Sequence, residues 1–505
     1  MRKKKSILNI ITALLSYFST MIFTFITQAL IIKILGIEYS GVNGLFTNIL
    51  TMLSVAELGL STTIIYKLYE PIANNNKNEI TKWLNFYKIC YRYVALFVLI
   101  IGLLIIPFVP SIIGENSIKD NIVVLYIIAL LDTVFSYVMT YKRSILYADQ
   151  KNYIINIIHI CYVIFMNITQ IALLFYTRNY VIFLIIKLIY RLLENVLINL
   201  YVDKYYSFIN KTSERISSFE KNDFLKRIRA MFVQKVSFVI NKGIDNIIIS
   251  TYLGITAVGY YTNYNLIATT LCGIIFQIIS GLSASVGNLL TEHNKEKNYY
   301  IYKNINYINS FLTGVSIVGF YSCIKNFIIV WLGNDYILGL SVVISFCIYI
   351  YSDSIRRSIT IFKEAAGICK EDQIMYIIMA LLNLITSLVL GKLIGIPGVV
   401  IGTAISYLFL IFYSYPKYVF TKIFDINISN YYKQTVKYII FIIISILVTN
   451  LIIKNIVINN SIISLIINAT VSILITTIIF IVTSLKTNEF KYYKSLIIKV
   501  LKKEK

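Results

Sequence analysis

Long apolar runs recur along the whole 505-residue chain, with only short polar segments between them. Each run covers roughly 20 or more residues, which is the length that an α-helix needs to cross about 30 Å of hydrocarbon. Because unpaired backbone groups are costly in lipid, we expect these runs to be helical. The pattern predicts an all-α integral membrane protein with fourteen transmembrane helices, at 7–35, 41–68, 83–108, 120–142, 153–176, 180–203, 228–252, 257–290, 303–331, 337–362, 373–394, 398–421, 435–454 and 461–485.

The charged residues add an orientation to this pattern. Only 14% of the residues are charged, against about 25% in soluble proteins. With a cytoplasmic amino terminus, most of the 47 Lys and Arg residues fall at cytoplasmic helix ends, and the opposite ends carry Lys33, Lys119, Arg178, Lys325, Lys392 and Lys454. This asymmetry predicts that both termini are cytoplasmic. The net charge of +23 then reflects topology and adhesion to anionic membrane lipids, and no nucleic-acid partner is expected.

An internal repeat divides the chain. The sequence ILGIEYSG at 34–41 returns as YLGITAVG at 252–259, and Asp132 and Lys142 align with Asp353 and Lys363 at a similar offset. Parallel repeats of this type place a substrate path between two halves that rock to give alternating access. We therefore predict an N-terminal six-helix bundle (1–204), a basic cytoplasmic linker (205–227), a C-terminal six-helix bundle (228–422), a two-helix unit (423–485) and a basic cytoplasmic tail (486–505).

Polar stripes at helical spacing indicate which helices face the path. Lipid-facing surfaces are apolar, so such stripes face protein or water. The first two predicted helices of each copy carry the most polar faces, which include Gln28, Asn43 and Asn241. The Ser and Thr residues of these stripes, taken alone, are better explained by close packing or helix–helix hydrogen bonds.

Charged residues inside the predicted spans are the strongest candidates for a site, because such residues usually face a protein interior or a watery cavity. Glu57 lies near the middle of an apolar run, and the aligned segment of the second copy, 277–283, holds no acidic residue. It is predicted to contact substrate or a coupling ion, or else to have a structural partner such as Lys242. Lys242 and Asp245 lie three residues apart on one helical face and can pair.

The sixth predicted span carries Lys187, Arg191 and Glu194 on one face. Lys187 and Arg191 are candidate substrate-binding residues, although an ion pair between Arg191 and Glu194 is an equally good explanation. Asp132 and Asp353 recur in both copies, which favours a helix contact common to the fold. His159 stands alone in an apolar span and is expected to be packed and hydrogen-bonded.

Signatures of enzymes are missing from the sequence. It holds no D-x-D, no H-E-x-x-H and no G-x-x-x-x-G-K motif, and its only histidines are His159 and His293. The six cysteines form no C-x-x-C pair and are expected to be free thiols. The chain is therefore predicted not to be an enzyme and to need no metal or organic cofactor.

The segment LGIEYSGVNGLFTNILTMLSVAELGLSTTIIYKLYEPIA, its echo DNIIISTYLGITAVGYYTNYNLI at 245–267, and the count of twelve plus two spans resemble the polysaccharide flippases. These proteins, also called Wzx or polysaccharide transporters, belong to the MATE-like (MOP) superfamily. The resemblance covers essentially the whole chain. It implies transfer of undecaprenyl-pyrophosphate-linked oligosaccharide repeat units from the inner to the outer leaflet of the bacterial cytoplasmic membrane, for assembly of capsule or another surface polysaccharide. A polysaccharide polymerase and assembly proteins would then be partners.

Under this resemblance Lys242 contacts phosphate, while Asn43, Asn241 and Gln28 contact sugar. Glu57 or Asp245 binds Na⁺ or H⁺ as a coupling ion, or holds Lys242 in place. One departure concerns the related peptidoglycan-precursor flippases, whose first spans are rich in arginine. From Ser6 to Leu35 this chain has only Lys33, which argues against a lipid II substrate.

Other functions stay open. A multidrug exporter of the same superfamily would use the same fold and an ion gradient, but with twelve spans. A membrane polymerase or ligase for glycans would be an enzyme with a large external loop, and no external connection here exceeds about a dozen residues. A non-transporting scaffold would have no need for carboxylates within the membrane.

Overall fold

The computed structural model describes residues 2–57, 60–210, 216–368, 371–424, 426–456 and 460–503. Within these ranges the chain is helical and has no strand. In chain order the helices are α1 (Arg2–Leu35), α2 (Ile37–Leu53), α3 (Leu60–Ala73), α4 (Lys77–Ile105), α5 (Val109–Ile113), α6 (Ile122–Tyr137), α7 (Arg143–Ala148), α8 (Asn152–Thr177), α9 (Tyr180–Tyr205), α10 (Ser218–Leu253), α11 (Ile255–Ser280), α12 (Ser283–Leu290), α13 (Lys295–Trp331), α14 (Leu340–Ile355), α15 (Arg357–Ala365), α16 (Gln373–Ile394), α17 (Ile396–Phe409), α18 (Thr421–Ile423), α19 (Ile428–Lys454), α20 (Ser461–Ser484) and α21 (Asn488–Lys503). Two π-helical turns, Leu410–Ser414 and Pro416–Phe420, connect α17 to α18.

Helices occupy all fourteen predicted segments, and ten helices of the described part are long and apolar enough to cross a membrane. The segments outside these ten are 41–68, 180–203, 228–252 and 337–362. Helices α2 and α14 have only 17 and 16 residues, and α9 and α10 carry charged residues along their length.

Two of the shorter helices result from breaks that the sequence pattern did not predict. The predicted span 41–68 is divided into α2 and α3, with a 3-10 turn at Ser54–Glu57 after α2. In the second copy 257–290 is divided into α11 and α12, which Gly281 and Leu282 separate. Glycine is less favourable than alanine in a helix by about 1 kcal/mol, so Gly281 weakens the helix at this point. The expectation of one continuous helix across each segment was wrong.

The fourth helix of each copy is also interrupted. Helix α6 ends at Tyr137, and Met139 has a φ of 91°, in the left-handed region where no right-handed helix continues. A 3-10 turn at Thr140–Lys142 then leads into α7. The corresponding helix α14 ends at Ile355 and α15 begins after Arg356. The breaks therefore recur in both copies, which agrees with the predicted repeat.

Glycines explain the repeated LGI motif. Gly36 and Gly254 join α1 to α2 and α10 to α11 with φ values of 108° and 82°, which other residues rarely adopt. A Cβ added to Gly41 would lie 2.3 Å from the carbonyl oxygen of Ile255, and one added to Gly259 would lie 2.5 Å from that of Ile37. The glycines thus allow α2 and the start of α11 to meet backbone to backbone.

The chain forms two compact units, here called unit 1 (Met1–Thr262) and unit 2 (Asn263–Lys505). In unit 1, α1 packs on α8, α6 on α9, and α10 on α2. In unit 2, α16 packs on α17, α13 on α20, and α14 on α17. Helix α10 begins inside the segment predicted as a linker, with a capping box formed by Ser217 and Glu220, and α21 lies inside the predicted tail.

Candidate functional site

A polar cavity of 230 Å³ lies within unit 1, between α2, α6 and α9. Its walls combine amide, hydroxyl and charged groups with a few large apolar side chains. The lining residues are Asn43, Phe46, Thr47, Leu50, Thr51, Ser54, Ala129, Asp132, Thr133, Tyr137, Tyr180, Leu184 and Lys187. We call this space the polar cavity.

The wall formed by α2 presents a row of hydrogen-bond acceptors. Asn43, Thr47 and Thr51 follow one another at intervals of four residues and so lie on one face of α2, and Ser54 follows in the 3-10 turn. The hydroxyl of Thr47 donates to the carbonyl of Asn43 at 2.7 Å, and that of Ser54 donates to the carbonyl of Thr51 at 2.6 Å. Because these protons are used within the helix, the hydroxyl oxygens are left to accept hydrogen bonds from the cavity.

The opposite wall carries a cluster of charges. The Asp132 carboxylate on α6 lies 3.4 Å from Lys187 Nζ and 3.4 Å from Arg191 Nε, both on α9. Lys187 is about one-third exposed, whereas Asp132 is nearly buried. Two cations therefore share one carboxylate beside the cavity, and the excess positive charge needs a further anion.

That further anion within the protein is Glu194, one turn along α9 from Arg191. Its buried carboxylate lies 3.2 Å from Arg191 Nη1, which confirms the predicted ion pair, and 3.4 Å from Arg143 Nη2. His159 Nδ1 lies 3.0 Å from the same carboxylate. His159 is thus hydrogen-bonded within the protein, as expected, rather than isolated in lipid.

Glu57 lies at the break between α2 and α3, in a cluster of hydroxyl groups. Its Oε1 accepts hydrogen bonds from Tyr91, across on α4, and from Ser61 at 3.0 Å. The Tyr87 hydroxyl lies 2.9 Å from the hydroxyl oxygens of both Ser61 and Tyr91 and can donate its one proton to either. A carboxylate with two hydroxyl donors can be retained in a membrane helix, because its charge is partly compensated by hydrogen bonds.

The other predicted site residues lie away from the polar cavity. Gln28 is buried and donates from Nε2 to Ser40 Oγ. Asn241 and Asp245 are buried on α10, and Asp245 accepts a hydrogen bond of 3.0 Å from Tyr261. The side chain of Lys242 lies outside the described residues, so its pairing with Asp245 or Glu57 stays a prediction.

The structure therefore brings Asn43 and Lys187 to one cavity and places Arg191 directly behind it. The sequence analysis did not single out Asp132, Thr133 or Tyr137 as cavity residues. Asp132 was assigned to a helix contact, and it does make one, but it also faces the cavity. Its position in the middle of an apolar span was the available signal.

Two further observations bear on ligands. A groove of 820 Å³ in unit 2, lined by α19 and α20, is largely apolar and has Lys433 and Lys437 at its walls. Among the described residues, no group of three or more His, Cys, Asp or Glu side chains is arranged to hold a metal ion.

Comparisons with known proteins show what this architecture resembles. No model of a protein family matches the chain, and no curated protein matches it. Solved structures do match. The lipid II flippase MurJ, in an inward closed conformation, is 19% identical with a TM-score of 0.69, and the match covers 97% of this chain and 100% of that chain.

Two MATE transporters match over less of the chain. A multidrug resistance MATE family transporter of the MOP superfamily, in an inward-facing conformation, is 15% identical with a TM-score of 0.60, covering 77% of this chain and 91% of that one. A mutant of the Vibrio cholerae MATE transporter VcmN is 11% identical with a TM-score of 0.58, covering 80% and 93%. All three solved proteins are transporters or flippases rather than enzymes. The chain is thus a multi-pass membrane protein with the fold that MATE transporters share with MurJ.

Proposed function

We propose that this protein moves undecaprenyl-pyrophosphate-linked oligosaccharide repeat units from the inner to the outer leaflet of a bacterial cytoplasmic membrane, for assembly of capsule or another surface polysaccharide. The observation that carries the proposal is the polar cavity of unit 1. Sugar hydroxyls and a pyrophosphate cannot cross hydrocarbon without hydrogen-bonding partners. Asn43, Thr47 and Thr51 offer such partners inside a chain with ten apolar helices long enough to cross a membrane in its described part.

The chemistry of the cavity walls suits a glycan better than an apolar cation. Acceptor oxygens on α2 match the many donors of a sugar, and the Asp132–Lys187 pair offers both an acceptor and a donor on the facing wall. Lys187, Arg191 and Arg143 carry three positive charges against the two negative charges of Asp132 and Glu194, and this excess favours an anionic substrate over a cationic drug.

The extent of the match to MurJ also supports a lipid-linked substrate. The MATE structures cover 77% and 80% of this chain, whereas MurJ covers 97%. Helices α19 and α20 lie in the C-terminal part, and their apolar groove suits a polyprenyl chain that stays in lipid. Na⁺ and H⁺ are both candidate coupling ions in this proposal, with Glu57 or Asp245 as the carboxylate that binds them.

The test measures how lipid-linked oligosaccharide is distributed between the two leaflets of the membrane. The cells compared carry the wild-type gene, a deletion, Glu57→Gln or Glu115→Gln. Glu115 is an exposed residue outside the helices and serves as the control for loss of one carboxylate. We expect the deletion to accumulate intermediates on the inner leaflet. Glu57→Gln is expected to lower outward transfer about tenfold, since its neutral amide no longer supports charge-assisted hydrogen bonds, and Glu115→Gln to leave it unchanged.

Normal outward transfer in the deletion strain, together with loss of resistance to cationic drugs, would contradict the proposal and favour a multidrug exporter. Normal transfer with a loss of polymer length would favour the enzyme alternative, a polymerase or ligase.

A further inference from the structure

A second cavity of unit 1, of 440 Å³, has strongly basic walls and is here called the basic pocket. Its charged lining residues are Lys88 and Arg92 on α4, Lys142 in the turn before α7, and Asp203 near the end of α9. The volume lies within the range of about 300–1,000 Å³ typical of small-molecule sites. None of these residues was predicted to bind substrate.

The charges of the basic pocket do not cancel. Buried Lys142 is neutralised by Asp203, since its Nζ lies 2.5 and 2.6 Å from the two carboxylate oxygens. Within the described ranges, neither Lys88 nor Arg92 forms an ion pair with a carboxylate. The Nζ of Lys88 instead lies 5.6 Å from the ring centre of Tyr141, which contributes no full negative charge. The pocket therefore has a net charge of two positive units.

The spacing of Lys88 and Arg92 makes this excess costly. Residues four apart lie on one face of a helix, and two like charges at that spacing destabilise it by about 0.2–0.5 kcal/mol. Both residues also fall inside the predicted span 83–108, where charge is costly. An anion bound between them would relieve both effects.

Backbone strain at the rim points to the same place. Met139 lines the pocket and has a φ of 91°, a conformation that is unfavourable for a residue with a side chain. Such strain is commonly retained at functional sites. Here the 3-10 turn that follows Met139 places Lys142 in the wall of the pocket.

We propose that the basic pocket binds the pyrophosphate group of the transported lipid, a proposal that rests on the proposed function. A pyrophosphate that links a lipid to a sugar carries two ionised oxygens, one on each phosphorus, and so matches the two uncompensated cations. Tyr137 forms a wall of both the basic pocket and the polar cavity, so the two spaces adjoin. A pyrophosphate beside Lys88 and Arg92 would leave its glycan directed toward the acceptor oxygens of α2.

The same phosphate chemistry has a second source, an anionic phospholipid resident in the membrane, and the experiment separates the two. The purified full-length protein is placed in nanodiscs of phosphatidylcholine, and the binding of farnesyl pyrophosphate is measured. Lys88→Gln and Arg92→Gln are compared with Lys77→Gln, an exposed lysine at the start of the same helix. Thermal unfolding of each variant verifies that it is folded.

We expect Lys88→Gln and Arg92→Gln each to weaken binding about tenfold, and Lys77→Gln to change it less than about twofold. Farnesyl monophosphate is expected to bind the wild type about tenfold more weakly than farnesyl pyrophosphate does. In each single variant the two ligands are expected to bind with about equal affinity, since each variant has lost one cation. Equal binding of farnesyl pyrophosphate by the wild type and both pocket variants would overturn the proposal.

The phospholipid arm repeats the measurement in nanodiscs that contain phosphatidylglycerol. If the pocket is specific for pyrophosphate, the affinity for farnesyl pyrophosphate falls less than about threefold. Complete competition by phosphatidylglycerol that disappears in Lys88→Gln would instead show a resident-lipid site and overturn the proposal. Failure of the proposed function would be seen in a different measurement. In that case the wild-type protein would move no lipid-linked glycan across a bilayer, whatever the binding experiment shows.

Discussion

The two copies of the repeat place the same charged residues in different surroundings. In unit 1, Asp132 borders the polar cavity and makes two long contacts of 3.4 Å with cations, one of them about one-third exposed. In unit 2, the aligned Asp353 is 3% exposed and lies 2.5 Å from both Arg356 and Arg357. The aspartate is common to the fold, but only unit 1 opens it to a cavity.

The aligned lysines show the same contrast. Lys142 of unit 1 pairs with Asp203, which is 36% exposed at the basic pocket, while Lys363 of unit 2 pairs with the fully buried Asp372. Charged groups in a buried ion pair are unavailable to a ligand, whereas charged groups at a cavity remain accessible to it. The comparison suggests that the ion pairs of unit 2 stabilise the fold and that those of unit 1 also serve the substrate.

The largest expected effect is the loss of stability when the buried ion pair between Asp353 and Arg356 is broken. Asp353→Asn removes the carboxylate that lies 2.5 Å from buried Arg356, and we expect the free energy of unfolding to fall by about 3–5 kcal/mol. Asp132→Asn, which removes the same charge from unit 1, is expected to cost about 1 kcal/mol because Lys187 retains contact with water. Unfolding of both variants in detergent measures the difference. Equal losses would mean that the two copies are equivalent and would remove the contrast.

A second prediction concerns a feature in which the two copies are alike. Gly41→Ala and Gly259→Ala each push a Cβ into a backbone carbonyl, at 2.3 and 2.5 Å, and are expected to destabilise the protein by about 1–3 kcal/mol each. Gly319→Ala in α13 is the control, since a Cβ there meets no atom within 4 Å, and it should be neutral or stabilising. Thermal unfolding tests this, and an unaffected Gly41→Ala variant would show that α2 and α11 do not pack as described.

A third prediction compares hydrogen bonds to a charged and to a neutral group. Tyr91→Phe removes the donor to the Glu57 carboxylate and is expected to cost about 1.5 kcal/mol. Tyr307→Phe in unit 2 removes a 2.9 Å hydrogen bond with the neutral hydroxyl of Ser484 and is expected to cost about 0.5–1 kcal/mol. A smaller loss of stability for Tyr91→Phe than for Tyr307→Phe, measured by chemical denaturation, would contradict a stronger hydrogen bond at Glu57.

The smallest expected effect belongs to an ion pair on the surface. Burial opposes ionisation of Glu220, but hydrogen bonds from Lys82 and Ser217 outweigh it and lower the pKa from 4.5 to about 2. Because the folded-state pKa is lowered, this contribution to stability is complete above pH 4.5 and is lost as the pH falls toward 2. The difference in thermal midpoint between wild type and Glu220→Gln should be constant from pH 7 to about 5 and shrink below that. A difference that grows on acidification would contradict the assignment.

Much of the fold could be predicted from the sequence because the physics involved is local. The positions of the helices follow from apolar run length, and the repeated LGI motif places Gly36 and Gly254 at corresponding junctions between predicted spans. The pair Arg191–Glu194 was also predictable, since both residues lie on one helix at a spacing of three.

The candidate site was predicted only in part, because its contacts join distant segments. Periodicity places Asn43 on the polar face of α2, but nothing local indicates that Lys187 and Asp132 lie across from it. The helix break before Leu60 escaped prediction because Ser54 and Glu57 interrupt the apolar run only weakly. The sequence shows Lys88 and Arg92 as two cations four residues apart in a predicted span. It does not show that Asp203 pairs with Lys142, which leaves Lys88 and Arg92 without a neutralising carboxylate among the described residues.

The most direct test of the central claim is the movement of lipid-linked oligosaccharide across the bilayer of vesicles that contain only the purified protein. Lys187→Gln, at the polar cavity, is compared with Lys303→Gln in unit 2, whose Nζ lies 3.6 Å from Glu489. The account predicts transfer by the wild type, an approximately tenfold loss in Lys187→Gln and wild-type transfer in Lys303→Gln. Transfer no faster than in protein-free vesicles, or equal transfer by all three proteins, would contradict it.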